Sequence, residues 1–421
     1  MDEARKNSKK KIILIVAGVA VVIVLAVIYF ALLLPDLVKD FGKYDGLSFD
    51  YTLEEEKYFD KFYYKQLSEG EARHYRAMYH ASINDEAKYY LKNMNLFVVE
   101  EAERAVEAFS LDFPEYYWFG QVLSADTIAI KDKLNLISYP YIQVTAECYS
   151  FKEEDIVTNR EKIEAKLDEI LPSLKGENDI DTITNIYDYL VLNTTYDGNL
   201  YNISDIRAIL FYDMGTEESY AETFQLLANR LGFECYSVLG DAYYAYDGTA
   251  STIDESVNKD EPLVGEFNLI KLNDSWYWID TAWGDSDNEY EDLSNKMHPL
   301  VDYAYLFVTD EVFFIDHKPS DHFTYPECNN GDIYLADGII MDSFDEDVIE
   351  DCFVKAFKDK KTEFTFHLKT TEDVDKLLDY YDKKKIYYVY QNNIHRYYEG
   401  RCRWVVSNNF TVYFEWKFRN L

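Results

Sequence analysis

The hydrophobic pattern begins with an apolar stretch, residues 12–34, that contains no charged residue. At about 1.5 Å rise per residue, a helix of this length crosses a hydrocarbon layer of about 30 Å. A cleavable signal peptide is the alternative, but its apolar region is usually only about 7 to 15 residues long, and no small-residue cleavage site follows before Pro35. The pattern therefore predicts one uncleaved transmembrane helix.

Basic residues dominate the short segment before this span, residues 1–11. The positive-inside rule keeps such a tail in the cytoplasm. Residues 35–51 then form a tether, and everything beyond them is expected outside the cell. The sequence predicts a single-pass protein of the cell membrane, with a cytoplasmic N-terminus and extracellular main domains.

Residues 52–175 show mostly helical spacing and predict a helical N-terminal extension. The segment Asn84–Phe109 is an example, because Ala87, Tyr90, Leu91 and Met94 repeat at helical spacing. The segment LDFPEYYWFG, Leu111–Gly120, predicts a proline-centred turn with an aromatic cluster. Ser138–Ser150 is rich in β-branched and aromatic residues and predicts a strand.

Residues 176–330 read as a second domain with a core helix and a hairpin. The helix runs from Thr216 to Leu231, with one apolar face, and stops at Gly232. The segment EFNLIKLNDSWYWIDTAW contains two runs in which apolar and polar residues alternate. It predicts a hairpin that turns at Asn273 and Asp274. A two-residue turn pairs Leu272 with Ser275. It also places Gly265 and Asp280 diagonally on one sheet face, about 7 Å apart.

The last segment, residues 331–421, predicts a small α+β domain. It contains the strand-like EFTFHLK, a helix from Thr371 to about Lys384, the strand-like IYYVYQ, and a hairpin that turns at Asn408 and Asn409. The predicted fold class is thus α+β: a transmembrane helix, a helical extension, a helix packed on an antiparallel sheet, and this C-terminal domain.

Composition narrows the possible partners. The formal charge of −36 makes nucleic acid an unsuitable partner, and the acidity indicates a solvated surface or, alternatively, attraction of cations or basic peptides. The tyrosines are spread along the chain, which favours packing over a sugar-binding surface. No glycine-rich phosphate loop and no H-E-x-x-H motif is present, so the sequence predicts no cofactor and no metal site. The cysteines are scattered and predict no disulfide framework: Cys148, Cys235, Cys328, Cys352 and Cys402.

An ordered set of motifs in residues 178–328 resembles the transglutaminase-like superfamily, whose papain-like core has a Cys at the start of a central helix and a His and an Asp on adjacent strands. The family's G-x-C-x-G-Y-A appears as GTEESYA, with Glu217 at the cysteine position. The H-x-W-N-x-V and W-Y-x-I-D-x-x-W segments appear as GEFNLI and WYWIDTAW. Gly265 stands at the histidine position and Asp280 at the aspartate position. LDFPEYYWFG resembles a segment of the helical extension that precedes this domain in many bacterial surface proteins.

The resemblance implies a protein that binds without catalysing. In the family mechanism a thiolate attacks an acyl carbon, a histidine moves the proton and an aspartate orients the imidazole. Two of these three groups are replaced here, and acids at a helix N-terminus are also explained by the helix dipole alone. The expected function is a transglutaminase-like pseudoenzyme with a cleft for peptide or cell-wall material. The residues expected to line that cleft are Glu217, Tyr220, Phe267, Trp278, Asp280 and Trp283.

Other readings of these residues stay open. An enzyme with altered chemistry would use Glu217 and Asp280 as a carboxylate pair, which glycoside hydrolysis requires. Ser219 has no histidine evident beside it, and an unassisted serine hydroxyl is a poor nucleophile. His317 matches a family position outside the triad. A structural component of the envelope is the third function class, and the sequence does not give the oligomeric state.

Two further features have an ordinary explanation. Cys235 is expected to be a buried small residue, because lone cysteines are more often buried than reactive. The acidic loop Asp280–Asp292 offers oxygen atoms to calcium but lacks the EF-hand glycine and spacing, so a solvated loop is expected. His298 and His322 are expected in loops.

Overall fold

A computed structural model of the chain describes residues 60–92, 98–131, 138–147, 152–200, 203–243, 262–285, 301–331, 338–361, 363–384, 403–407 and 409–415. The predicted transmembrane helix, residues 12–34, and the tether lie outside these ranges. Within them, no helix combines the length and apolar composition that a membrane crossing requires. The described residues form two compact units, one from residues 60–110 and 118–156 and the other from 111–117 and 157–415.

The first unit combines two helices with a three-stranded antiparallel sheet. The helices are α1 (Glu69–Ile83) and α2 (Val99–Asp112), and the strands are β1 (Lys88–Lys92), β2 (Gln121–Lys131) and β3 (Ser138–Glu147). The sheet order is β1-β3-β2. Aromatic side chains fill the core, including Tyr75, Tyr89, Phe109, Trp118 and Phe119. The expectation of a mostly helical extension is therefore incomplete, although the strand predicted at Ser138–Ser150 is present as β3.

The helical patterning read in Asn84–Phe109 is wrong for its first part and correct from Val99 onwards. Residues Lys88–Lys92 form a strand, and the helix begins only at Val99. A short apolar run fits helical and extended backbone equally well, and tertiary pairing decides between them. Here β3 provides the partner, with Tyr89 opposite Val144.

The second unit carries the predicted core helix on an antiparallel sheet. Its helices are α3 (Ile156–Leu174), α4 (Asp179–Asn193), α5 (Ile206–Tyr212), α6 (Glu217–Arg230) and the single turn α7 (Asp310–Phe313). Its strands are the short parallel pair β4 (Thr195–Tyr196) and β5 (Met214–Gly215), and then β6 (Glu234–Ala242), β7 (Leu263–Leu272), β8 (Ser275–Ile279) and β9 (His317–Pro319). The last four form one antiparallel sheet in the order β8-β7-β6-β9.

Helix α6 begins and ends as the sequence predicts. Thr216 is its N-cap and forms a capping box with Ser219. Gly232 follows the helix with φ of +97°, a left-handed conformation that favours glycine. The helix is buried on more than the predicted face, because every residue from Ser219 to Ala228 is buried.

The hairpin of β7 and β8 also follows the prediction. Leu272 pairs with Ser275, and the two turn residues, Asn273 and Asp274, both have positive φ. Such a two-residue turn matches the twist of the flanking strands. The register places the end of β8 beside the middle of β7, with Asn268 opposite Ile279.

The C-terminal part belongs to the same compact unit. It contains β10 (Gly338–Ile340), α8 (Glu346–Lys358), β11 (Glu363–His367), α9 (Thr371–Lys384), β12 (Arg403–Val406) and β13 (Thr411–Glu415). The sheet order is β10-β11-β13-β12. The predicted strand at EFTFHLK, the helix from Thr371 and the final hairpin are confirmed, while α8 and β10 were not predicted. IYYVYQ and Asn408 lie outside the described residues.

The turn of the β12–β13 hairpin contacts a loop of the core. The Ser407 hydroxyl donates a hydrogen bond to the carboxylate of Asp302, and the Asn409 amide donates to the carbonyl of Ala304 at 3.1 Å. Ser407, Asn409 and Asp302 are all buried. This loop continues through a short 3-10 helix, Tyr303–Tyr305, towards the candidate site.

Candidate functional site

Glu217 is the first residue of α6 and is partly buried. Its carboxylate accepts a hydrogen bond from the Tyr196 hydroxyl on β4. Burial raises the pKa of Glu217, and the charge of Asp280 raises it further, while the Tyr196 hydrogen bond opposes the change. The position that the family gives to a nucleophile is therefore held by a carboxyl group that is partly removed from solvent.

Asp280 directly follows β8 and is only 2% exposed. Its Oδ1 accepts a hydrogen bond from the backbone N–H of Trp283 at 2.8 Å. Its Oδ2 lies 3.1 Å from Nε2 of His317. The backbone N–H of Asp280 donates to the carbonyl of Tyr305 at 2.9 Å. Both oxygens of the side chain and the backbone of Asp280 are thus held in place.

His317 is held between two carboxylates. Its Nδ1 lies 2.6 Å from Oδ1 of Asp316, whose Oδ2 accepts a hydrogen bond from the Tyr305 hydroxyl at 2.8 Å. Burial alone would lower the pKa of His317, but the charge of Asp316 and hydrogen bonds to Asp280 and Asp316 raise it to about 9. The imidazole therefore carries both protons at neutral pH and has no lone pair with which to accept another.

Aromatic rings enclose this imidazole. Phe313 stacks on it at 4.2 Å between ring centroids, and Phe267 and Trp283 meet it edge-on at 5.4 and 5.0 Å. The side chain of His317 has no solvent exposure. The Asp280–His317–Asp316 arrangement is accordingly a buried ion pair within the core.

Gly265 on β7 lies opposite Gly240 of β6. A Cβ at Gly265 would meet its nearest neighbour, the Cβ of Ala242, at an ordinary contact distance of 3.7 Å. Neither packing nor backbone conformation demands glycine there. The imidazole next to Asp280 instead comes from β9, where His317 pairs with Ala242.

The six residues expected to line a cleft differ in exposure. Glu217 and Trp283 are partly exposed. The other four are buried in the core: Tyr220, Phe267, Trp278 and Asp280. The Tyr220 hydroxyl donates to Asp285 at 2.5 Å, and the Trp278 ring nitrogen donates to Asp310 at 2.7 Å. A ligand could contact these four only if the surrounding side chains moved.

The other candidate nucleophiles have structural roles. Ser219 is fully buried, and its hydroxyl donates to the carbonyl of Ser204 at 2.6 Å. The thiols of Cys235 and Cys328 are free and buried, and burial raises the pKa of both. A thiol with a raised pKa is a poor nucleophile because the thiolate is the reactive form.

The acidic loop is described only as far as Asp285. Among the residues that the structure describes, no group of three or more His, Cys, Asp or Glu side chains could hold a metal ion. His322 lies in an exposed turn, and His298 lies outside the described residues.

The sequence motifs do not predict the contact between His317 and Asp280. They place His317 at a position outside the triad, because the family that they resemble has its histidine on the strand that corresponds to Gly265 here. The available signal was the pair Asp316 and His317 directly after the apolar run 312–315. Charged residues next to such a run are candidates for buried ionic contacts, because they are buried mainly when they are paired.

No model of a protein family matches the chain, and no curated protein matches it. Several solved structures are distantly similar, and three of them serve as examples. The first is a TGase, at 12% identity and a TM-score of 0.25, with 50% of this chain and 54% of that chain covered. The second, from Cytophaga hutchinsonii, is provisionally assigned as a cysteine protease; it has 12% identity and a TM-score of 0.22, with 39% and 66% covered. The third, from Parabacteroides distasonis, is provisionally assigned as a protease; it has 10% identity and a TM-score of 0.20, with 37% and 35% covered.

Proposed function

We propose that this chain is a membrane-anchored surface protein whose transglutaminase-like domain binds peptide or cell-wall material and does not catalyse acyl transfer. The proposal combines the predicted span at residues 12–34 with the motifs around Glu217, Gly265 and Asp280. Its ligand class is taken by analogy from the family that these motifs resemble.

The observation that carries the proposal is the state of the imidazole beside Asp280. A general base needs an unprotonated nitrogen within reach of the nucleophile. Both nitrogens of His317 face carboxylates, and the ring is sealed from solvent. In addition, a glutamate that accepts a hydrogen bond from Tyr196 stands where the thiol would be. The enclosed imidazole and the glutamate at the thiol position together favour loss of the acyl-transfer mechanism.

The groups that remain accessible suit recognition. Glu217 offers a carboxylate and Trp283 part of an indole ring, and both are partly exposed. Binding sites commonly combine aromatic surface with a few placed polar groups. The backbone N–H of Trp283 also donates to Asp280, which ties this aromatic residue to the ion pair beneath it.

To test the proposal, the full-length chain in mild detergent is incubated with purified cell-wall sacculi and with a peptide mixture. Sedimentation measures binding, and mass spectrometry detects any released fragments. We expect saturable binding without new fragments. Glu217→Gln and Trp283→Phe should each weaken binding by about tenfold, which corresponds to about 1.4 kcal/mol.

Glu234→Gln is the matched control, because Glu234 is an exposed glutamate on β6 and pairs only with Lys271 at 3.5 Å among its ion-pair contacts. Thermal unfolding of every variant separates loss of binding from loss of folding. New fragments that disappear in Glu217→Gln would replace the proposal with a carboxylate mechanism. Absence of saturable binding would favour a structural role in the envelope.

A further inference from the structure

Two buried glutamates lie in the interface between α6 and β7. Glu222 lies in the second turn of the helix and Glu266 lies on the strand, and their exposures are only 7% and 6%. Two residues beyond Glu266, on the same face of β7, the Asn268 amide donates to the helix carbonyl of Ala221 at 2.8 Å. The strand face that carries Glu266 therefore packs directly on α6.

The buried cation Arg207, on the neighbouring helix α5, is engaged elsewhere. Arg207 donates to both carboxylate oxygens of Asp205, at 2.8 and 2.6 Å, and its guanidinium lies 3.9 Å from the ring centre of Tyr117. Meanwhile Oε2 of Glu222 and Oε1 of Glu266 are buried and have no hydrogen-bond partner among the described residues. In the part of the chain that the structure describes, neither of these buried acids forms an ion pair with a basic residue.

Such carboxyl groups avoid the cost of buried charge by keeping their protons. Burial raises the pKa of Glu222 well above its ordinary value, and the charges of Glu218, Glu266 and Asp205 raise it further. Burial also raises the pKa of Glu266, and the charge of Glu218 adds to this, while a hydrogen bond with Ser237 opposes it. The charged groups that act on the pair are therefore acidic.

We propose that Glu222 and Glu266 form a proton-dependent latch, in which the neutral state of these two buried carboxyl groups allows α6 to pack closely on β7 and loss of protons loosens this contact. The latch lies in the helix that begins with Glu217, so its opening would change the position of the candidate site. The proposal does not depend on the ligand, and it can be tested without one.

The sign of the stability change gives the first test. The folded state binds more protons than the unfolded state, so stability falls as pH rises above the ordinary carboxyl range and continues to fall until the pH reaches the raised pKa values. Gln resembles a protonated Glu but cannot ionise. We therefore expect the double variant Glu222→Gln/Glu266→Gln to be more stable than the natural chain at neutral pH, by a margin that grows with pH.

This experiment measures thermal unfolding of the full chain between about pH 5 and pH 9. The unfolding midpoint of the double variant should exceed that of the natural chain by about 5 °C or more at the upper end of the range, and the two should converge at the lower end. Glu234 is an exposed glutamate on β6, so Glu234→Gln is the control. Its unfolding midpoint should depend on pH in the same way as that of the natural chain. A double variant that is less stable at every pH would overturn the proposal.

Two further measurements separate the latch from ordinary packing. Infrared spectra of the natural chain at neutral pH should contain an absorption of protonated carboxyl groups that the double variant lacks. Hydrogen exchange in α6, corrected for the intrinsic effect of pH, should accelerate with pH in the natural chain and not in the double variant. An unchanged infrared absorption, or exchange that depends on pH equally in both proteins, would contradict the latch.

Discussion

Nε2 of His317 lies 3.1 Å from Oδ2 of Asp280, so the imidazole beside this aspartate comes from β9 and not from the strand that carries Gly265. The second ring nitrogen, Nδ1, lies against Asp316. A catalytic imidazole would need to keep this nitrogen free for proton transfer. Aromatic rings seal the three groups from solvent. The geometry of an Asp–His pair is present, and its surroundings make it an element of the core.

The first prediction concerns the charge of His317. Asp280→Asn removes one of the two carboxylates at the imidazole, so the pKa of His317 should fall from about 9 by about one unit or more. An NMR titration of the imidazole resonances measures this shift. Asp168→Asn, at an exposed position on α3, is the control and should leave the titration unchanged. A pKa that stays near 9 in Asp280→Asn would mean that Asp316 alone sets it.

The same ion pair predicts how stability depends on pH. The pKa of His317 is raised from 6.5 to about 9, so its stabilising contribution is complete below the unfolded value and is lost as pH rises through the folded value. Between about pH 7 and pH 9, the natural chain should lose roughly 2 to 3 kcal/mol relative to His317→Gln. Denaturant unfolding at several pH values measures the difference. Parallel curves for the two proteins would contradict a charged His317.

Gly240 and Gly265 pair across β6 and β7, and substitution by alanine is predicted to change stability differently at the two positions. At Gly240 a Cβ would overlap the carbonyl oxygen of Lys318 and lie 2.7 Å from the ring of Phe267, so Gly240→Ala should cost about 1 to 3 kcal/mol. At Gly265 the nearest atom is 3.7 Å away, and Gly265→Ala should change stability by less than about 0.5 kcal/mol. Chemical unfolding of both variants measures the contrast. Equal losses would mean that β9 does not approach β6 as described.

The contact between the C-terminal hairpin and the core predicts that a substitution in the hairpin lowers the stability of the whole unit. Ser407→Ala leaves the buried carboxylate of Asp302 without one hydrogen bond, so it should lower the free energy of unfolding by about 1 to 3 kcal/mol. Ser173→Ala is the control, because the hydroxyl of Ser173 bonds only to the carbonyl of Ile170 within the same helix. If the free energy of unfolding falls by the same small amount in both variants, the hairpin contributes no more than a local contact.

Local signals in the sequence were sufficient for α6 and for the β7–β8 hairpin. Thr216 and Gly232 mark the two ends of the helix, and Asn273 with Asp274 supplies the two residues of positive φ that the turn requires. These features depend on residues close together in the chain. That is why the sequence alone predicts both the helix and the turn.

Features that depend on distant partners were not predictable in the same way. Strand β1 forms because β3, far along the chain, offers it an edge, while its own residues also fit a helix. The contact of His317 with Asp280 requires the three-residue strand β9 to join β6. A strand this short has no periodic pattern to detect. Similarly, Glu222 and Glu266 read as ordinary acids until the helix is placed on the sheet.

The contact of Ser407 with Asp302 also has a consequence for synthesis. These residues are 105 positions apart, and the hairpin lies within the last part of the chain. Chains are made from the N-terminus at about 5 to 20 residues per second, and domains generally fold as units. The loop that leads to Tyr305 and Asp316 therefore cannot complete its contacts until the hairpin has left the ribosome. Shortened translation products that end before this hairpin would contain every site residue. They would still lack the hydrogen bonds that Ser407 and Asn409 donate to the loop.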